Sequence, residues 1–228
     1  MSFTSIVRKK VAPYWEGSLR HPFIVQLQAG TLPEKIFRYY LIQDHYYLRH
    51  FRKLHQIVAD RCQDQELKAL MTLSATGLKD GEMIIREQFF EALKITDDEV
   101  QATPVAPTTD HYIAHMYRQL FADNPAIAAA GLYPCAWLYG DIGMTLSQRP
   151  ASPNPYYQRW IETYTKAELQ DEIQMMGIVL NRLYAASSAE DQVKMVQAFV
   201  RSSQLEYHFW EMANRKEQWL RGDEYDEQ

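Results

Sequence analysis

From Glu34 to Cys62 the chain runs without a Pro or a Gly. Thr31 and Glu34 have the spacing of a capping box, and Pro33 sits where a helix tolerates it, just inside the start. The spacing therefore predicts a helix on the order of 45 Å long. Two more capping boxes, Thr96 with Glu99 and Ser188 with Asp191, predict a short helix and a second long one with apolar period over 193–219. Helical patterns are also expected over 64–93, 110–121, 125–148, 155–164 and 166–185. Strand-type alternation over four to eight residues is absent. Pro clusters in the connections, at His21-Pro22, 103–109 and 149–155. No linker is long or bland enough to separate two cores. The expectation is an all-α bundle of long helices, one domain over 1–220, followed by an acidic tail over 221–228 expected to fray.

Composition narrows the function classes. Of the 228 residues 46% are hydrophobic, and the net charge of −5 argues against a nucleic-acid module, which carries a basic face. The fifteen Tyr and five Trp must be buried against something or line a site. The start, MSFTSIVRKKVAPYW, has no apolar run before a small-residue cleavage site, and no segment approaches the ~20 apolar residues of a membrane span. The expectation is a soluble cytoplasmic protein with no membrane partner.

Candidate metal and phosphate sites are weak. His111 and His115 lie one helical turn apart, but no third ligand is implied nearby and no Glu-x-x-His motif occurs, so solvated or capping imidazoles are the better reading. No Gly-rich phosphate cradle is present.

Three segments carry the chemistry. The first is G-L-Y-P-C-A-W-L-Y-G at 131–140. Pro134 inside a helical pattern forces a kink or a restart. A restart would put Cys135 in a first turn, where the helix dipole lowers a thiol pKa; a kink would open space beside it. A buried structural thiol remains the alternative. Tyr139 lies one turn on and shares the Cys135 face. Cys62, in a polar run, reads as incidental. The second segment centres on Asp44, a poor helix-interior residue, between Tyr40 and Tyr47 on one face. It is either solvated or the partner of a buried donor. In the third, Glu206 borders the apolar stripe of Phe199, Tyr207 and Trp210, and for a Glu exposure is the default.

Taken together, these segments resemble the TenA family, thiaminase II. The matching pieces are W-E-G-S-x-x-H-P-F at 15–23, G-T-L-P at 30–33, Q-D-x-Y-Y-L-x-H-F at 43–51 and Y-x-x-H-M-Y-R at 112–118. They continue with P-C-x-W-L-Y at 134–139, Y-Q-x-W-I-x-T-Y at 157–164 and S-S-x-x-E-Y-x-F-W-x-M-A-x-R-K-E-x-W at 202–219. The resemblance implies a haem-oxygenase-like bundle without haem, needing no cofactor and no metal, and assembled as a homotetramer. It implies a hydrolase of thiamine salvage acting on a small-molecule aminopyrimidine or on thiamine, and releasing 4-amino-5-hydroxymethyl-2-methylpyrimidine. By motif position Cys135 would be the nucleophile, Glu206 the proton donor and Tyr47 the group that tunes the thiol. Asp44 and Tyr139 would bind the pyrimidine, and Tyr112 and Tyr164 would line the pocket. The sequence departs from the family at Tyr133, at Ala136, where a larger residue is usual, and at Thr165-Lys166; these bear on which leaving group fits. The rival reading is a non-catalytic pyrimidine-binding or regulatory protein on the same fold.

Overall fold

The computed structural model describes residues 1–78 and 83–220. Eleven helices are present among them: α1 (Phe3–Arg20), α2 (Pro22–Ala29), α3 (Glu34–Arg61), α4 (Gln65–Gly77), α5 (Met83–Leu93), α6 (Asp97–Gln101), α7 (Pro107–Ala122), α8 (Pro125–Ser147), α9 (Pro155–Thr163), α10 (Ala167–Ala186) and α11 (Ala189–Arg215). The all-α expectation holds, and no strand occurs among the described residues. Most starts are chemically marked. Asp64, Thr96, Asn124, Asn154 and Ser188 each accept a backbone N–H of the first turn, and α2, α7, α8 and α9 carry Pro just inside.

Three expectations need correction. Thr31 caps nothing: α3 begins at Glu34 with Pro33 before it and no side-chain cap. The N–H groups of Thr31 and Leu32 instead donate back to Gln26 O at 2.8 and 3.1 Å, which finishes α2. The segment 1–30, which carried no helix expectation, holds α1 and α2. Phe3, Val7, Val11, Trp15 and Ser18 form the buried stripe of α1, while Pro13 lies on its exposed side, where water can serve the carbonyl it leaves unbonded. The pattern over 64–93 is two helices, α4 and α5, with 79–82 outside the described residues. The expectation for the tail, 221–228, also falls outside them. At its far end α11 stops at Arg215, and Trp219 lies beyond it, its Nε1 donating to Val105 O at 2.9 Å.

The core is organised around α8, which packs against α3, α7, α9, α10 and α11. A helix enclosed by so many neighbours must be apolar nearly all round, and residues 127–134 of α8 are buried without a break. Small residues permit this. A Cβ on Gly143 would sit 2.8 Å from the Tyr164 carbonyl oxygen, so α8 passes directly against the end of α9. On the other side α11 packs against α1 and α8, and α3 against α4 and α7. Four helices, α3, α7, α8 and α11, thus turn polar side chains inward toward one region.

Candidate active site

Helix α8 runs through Pro134 without a restart, so Cys135 lies mid-helix rather than in a first turn, and the first-turn dipole argument does not apply. Cys135 is half-buried and opens, with Tyr139 one turn on, into a cavity of about 190 Å³. The same cavity is lined by Asp44 from α3 and by Tyr164 at the end of α9. Ala136, Leu48, Phe51 and Leu169 contribute apolar wall. A concave apolar pocket with a few converging polar groups is the usual form of a small-molecule site.

Behind the thiol lies a fully buried polar cluster. Glu206 on α11 is 2% exposed, which overturns the default of exposure. Its Oε1 accepts from the Tyr112 hydroxyl at 2.7 Å. The Tyr47 ring lies 4.9 Å from that of Tyr112, and its hydroxyl donates to Met116 Sδ at 3.7 Å. The Cys135 thiol is also within hydrogen-bonding reach of Glu206. Burial dominates the electrostatics: it pushes the Glu206 carboxyl up to about 8 against the pull of Tyr112, with the negative charge of Asp44 adding to the rise. Burial likewise pushes the Tyr47, Tyr112 and Tyr139 phenols well up, so all three are neutral donors at pH 7.

Asp44 is 4% exposed, so the solvated alternative falls. It shares the cavity with Tyr139 and Tyr164, which belong to a cluster of mutually tilted aromatic rings. Tyr139 stands 4.9 Å from Tyr164, 5.2 Å from Trp210 and 5.9 Å from Trp160, centroid to centroid. Tyr40 fixes this wall from behind, its hydroxyl donating to Tyr139 Oη at 3.4 Å while accepting from Trp160 Nε1 at 3.3 Å. Between a carboxylate, a thiol and flat rings, the cavity suits a planar heteroaromatic molecule with an amino edge.

Of the seven residues singled out in the sequence, Asp44, Cys135, Tyr139 and Tyr164 line the cavity, while Glu206, Tyr47 and Tyr112 form the buried cluster behind it; Tyr112 therefore does not line the pocket as expected, because its hydroxyl is taken up by Glu206. Cys62 is in neither group: it caps the end of α3, buried, with its Sγ 3.4 Å from Asp64 O. His111 is exposed while His115 is buried against α11, and burial pushes His115 down to about 4. Among the described residues no group of three or more His, Cys, Asp or Glu is placed to hold a metal. The sequence reading missed one portion of the lining altogether: His55, Ser74 and Glu172, from α3, α4 and α10. None stands out by residue type or period.

A sequence profile of the TENA/THI-4/PQQC family matches residues 8–216. The chain belongs to that family. A curated relative, the aminopyrimidine aminohydrolase of Bacillus subtilis (strain 168), is 38% identical over 219 residues, covering 96% of this chain and 92% of the relative. Among solved structures, the TenA homologue of P. horikoshii OT3 superposes with a TM-score of 0.84 at 24% identity, over 94% of this chain and 99% of that one. A domain of unknown function from Shewanella denitrificans OS217, described as having a heme oxygenase-like fold, superposes with a TM-score of 0.75 at 18% identity, over 95% and 93% of the two chains. The bundle of this family member is therefore haem-oxygenase-like. No helix among its described residues is long and apolar enough to cross a membrane. The departures noted in the sequence have distinct places. Tyr133 does not narrow the main cavity but donates to Ile173 O at 2.9 Å behind it. Ala136 is in the wall, and Lys166 is exposed at the mouth.

Proposed function

We propose that this protein is an aminopyrimidine aminohydrolase of the thiaminase II type. It would release 4-amino-5-hydroxymethyl-2-methylpyrimidine from thiamine, or from the 5-aminomethyl pyrimidine, in thiamine salvage. The observation that carries the reading is the pairing of the Cys135 thiol with a buried Glu206 whose carboxyl stays protonated up to about pH 8.

The chemistry needs that pair. The exocyclic CH₂–N bond does not yield to water at neutral pH, because water is a weak nucleophile and the amine a poor leaving group. The Cys135 thiolate adds to the unsubstituted ring carbon, and the ring π pair moves onto the adjacent nitrogen, which takes the Glu206 proton. The 4-amino group then pushes its lone pair through the ring, and the C–N bond pair departs with the amine. Asp44 accepts from the 4-amino group and stabilises the positive charge that develops there. Water adds to the exocyclic carbon, a proton is lost, and the thiolate leaves as the ring regains aromaticity and returns the proton to Glu206. Tyr112 holds Glu206, Tyr47 tunes the nearby thiol, and Tyr139 and Tyr164 stack on the ring.

The same reading includes a cytoplasmic homotetramer. Two free thiols suit a reducing compartment, and the exposed Phe121, Ile178 and Val193 are the kind of apolar surface that an assembly buries. The test is ammonia release from the 5-aminomethyl pyrimidine by the purified protein. Binding of the pyrimidine without turnover would favour the regulatory reading instead.

A further inference from the structure

The 190 Å³ cavity is not the whole of the hollow beside Cys135. Behind Ala136 lies a second space of about 20 Å³, walled by Met71, Leu132, Tyr133 and Met176. His55, Ser74, Ala136 and Glu172 line both spaces, so the chamber adjoins the main cavity across those four residues. Its volume is that of one water-sized molecule, since roughly 10–15 Å³ of such free space holds a single water. Apolar walls alone would leave such a space dry; here three polar groups face it.

Their hydrogen bonds define what the chamber accepts. His55 Nδ1 donates to Phe51 O at 2.9 Å, which leaves Nε2 with a lone pair and no proton. Burial holds that imidazole neutral, with its pKa pushed down to about 4. The Ser74 hydroxyl is hydrogen bonded to Glu172 Oε1 and also lies 3.0 Å from Leu70 O. Glu172 forms no ion pair among the described residues, and burial pushes its carboxyl up. The chamber therefore offers three acceptors, Glu172, Ser74 Oγ and His55 Nε2, around a hole the size of one heavy atom. A primary ammonium group has three donors, one charge and that size.

Given the proposed reaction, we infer that this side chamber is the leaving-group subsite, receiving the –NH₃⁺ of the aminomethyl substrate and then the ammonia released from it. When the C–N bond breaks, its electron pair goes to nitrogen, which leaves as neutral NH₃ still bonded to the same acceptors. Glu172 is thus a specificity residue rather than a member of the thiol–acid pair. The thiazolium of thiamine is far too large for the chamber and must stay in the main cavity, so the subsite discriminates between the two substrates. Ala136 is the aperture: a larger side chain there would fill the passage.

The inference rests on the proposed function for its substrate, and the experiment separates the two. In the inactive Cys135→Ser protein, calorimetry compares binding of the 5-aminomethyl pyrimidine with that of the uncharged 5-hydroxymethyl pyrimidine. Adding Glu172→Gln is expected to weaken the amine about tenfold or more and to leave the alcohol within twofold. In the active protein Glu172→Gln and Ser74→Ala should lower kcat/KM for the aminomethyl substrate about tenfold or more while changing thiamine turnover less than twofold. Equal losses on both ligands, or an unchanged affinity for the amine, would overturn the subsite even in an active enzyme. A wild-type protein that hydrolyses neither compound would instead overturn the proposed function, and the binding comparison would still decide the subsite.

Discussion

The Tyr112 hydroxyl donates to Glu206 Oε1 across 2.7 Å of fully buried space, joining α7 to α11 directly behind the Cys135 thiol. The bond favours the ionised carboxyl and so opposes the burial that pushes Glu206 up. Tyr112→Phe should therefore raise the Glu206 pKa beyond about 8. The alkaline limb of the kcat/KM profile is expected to move to higher pH, with roughly tenfold lower turnover from loss of positioning, about 1.4 kcal/mol. An unmoved alkaline limb in a well-folded Tyr112→Phe protein would mean that the tyrosine does not act through Glu206.

Glu206 also ties stability to pH, and the sign is opposite to that of most carboxylates. Its folded pKa, about 8, lies above the ordinary 4.5, so the folded state holds the proton more tightly than the unfolded chain does. The contribution is fully present below pH 4.5 and is lost as pH rises through about 8. Glu206→Gln keeps the neutral shape and removes the titration. The wild type should lose Tm relative to Glu206→Gln between pH 6 and 9, and turnover should vanish in the variant because an amide cannot donate the ring proton. Parallel Tm curves for the two proteins over that range would show that Glu206 does not titrate there.

Gly30 closes α2 at φ +72°, and a Cβ there would stand 2.5 Å from Pro153 Cγ. Gly30→Ala meets both penalties at once, a left-handed backbone costing roughly 1–2 kcal/mol and a clash with a rigid ring. A clear drop in Tm is expected, with kcat/KM little changed in the protein that remains folded, because Gly30 is outside the cavity. A Tm within a degree of wild type would refute the clash.

Much of this was legible from residue order, for identifiable reasons. Thr96 and Ser188 announce their helices because a cap is a local device, and both accept the expected N–H. The shared face of Cys135 and Tyr139 follows from helical period. Burial of Asp44 and Glu206 does not, since residue type argues for exposure and only the packing of α3, α8 and α11 reverses it. Pro13 and the His21-Pro22 pair hid α1 and α2, because a Pro on a solvent-facing turn reads like a break. Glu172 and Ser74 meet across 98 residues of sequence with no period or motif to link them. Local chemistry writes itself into the sequence; convergence of distant helices leaves no such mark unless a family resemblance supplies it.

Asp44 has little access to water, so what it binds decides what it is worth. An amide in its place can present its NH₂ toward the substrate's 4-amino group and leave two donors facing each other. Asp44→Asn is expected to raise KM and lower turnover, about tenfold or more in kcat/KM, with Tm nearly preserved because the two side chains have the same shape. Wild-type kinetics in a folded Asp44→Asn protein would remove Asp44 from the pyrimidine edge.

The two cysteines give the most direct contrast. Cys135 opens into the cavity, while Cys62 is buried at the end of α3, where burial pushes its thiol up. A thiol that is both enclosed and held protonated is a poor nucleophile. Limiting iodoacetamide should therefore modify Cys135 first, and a bound aminopyrimidine should protect it. Cys135→Ser should lose turnover by several orders of magnitude, since an alcohol with no strong base beside it is far less nucleophilic at neutral pH. Glu206 does not rescue the alcohol, because below pH 8 it carries the proton that a serine would need it to accept. Cys62→Ser should remain close to wild type. The arrangement fails as a catalytic one if Cys135→Ser keeps most of its turnover, or if the pyrimidine protects Cys62 while leaving Cys135 open to the reagent.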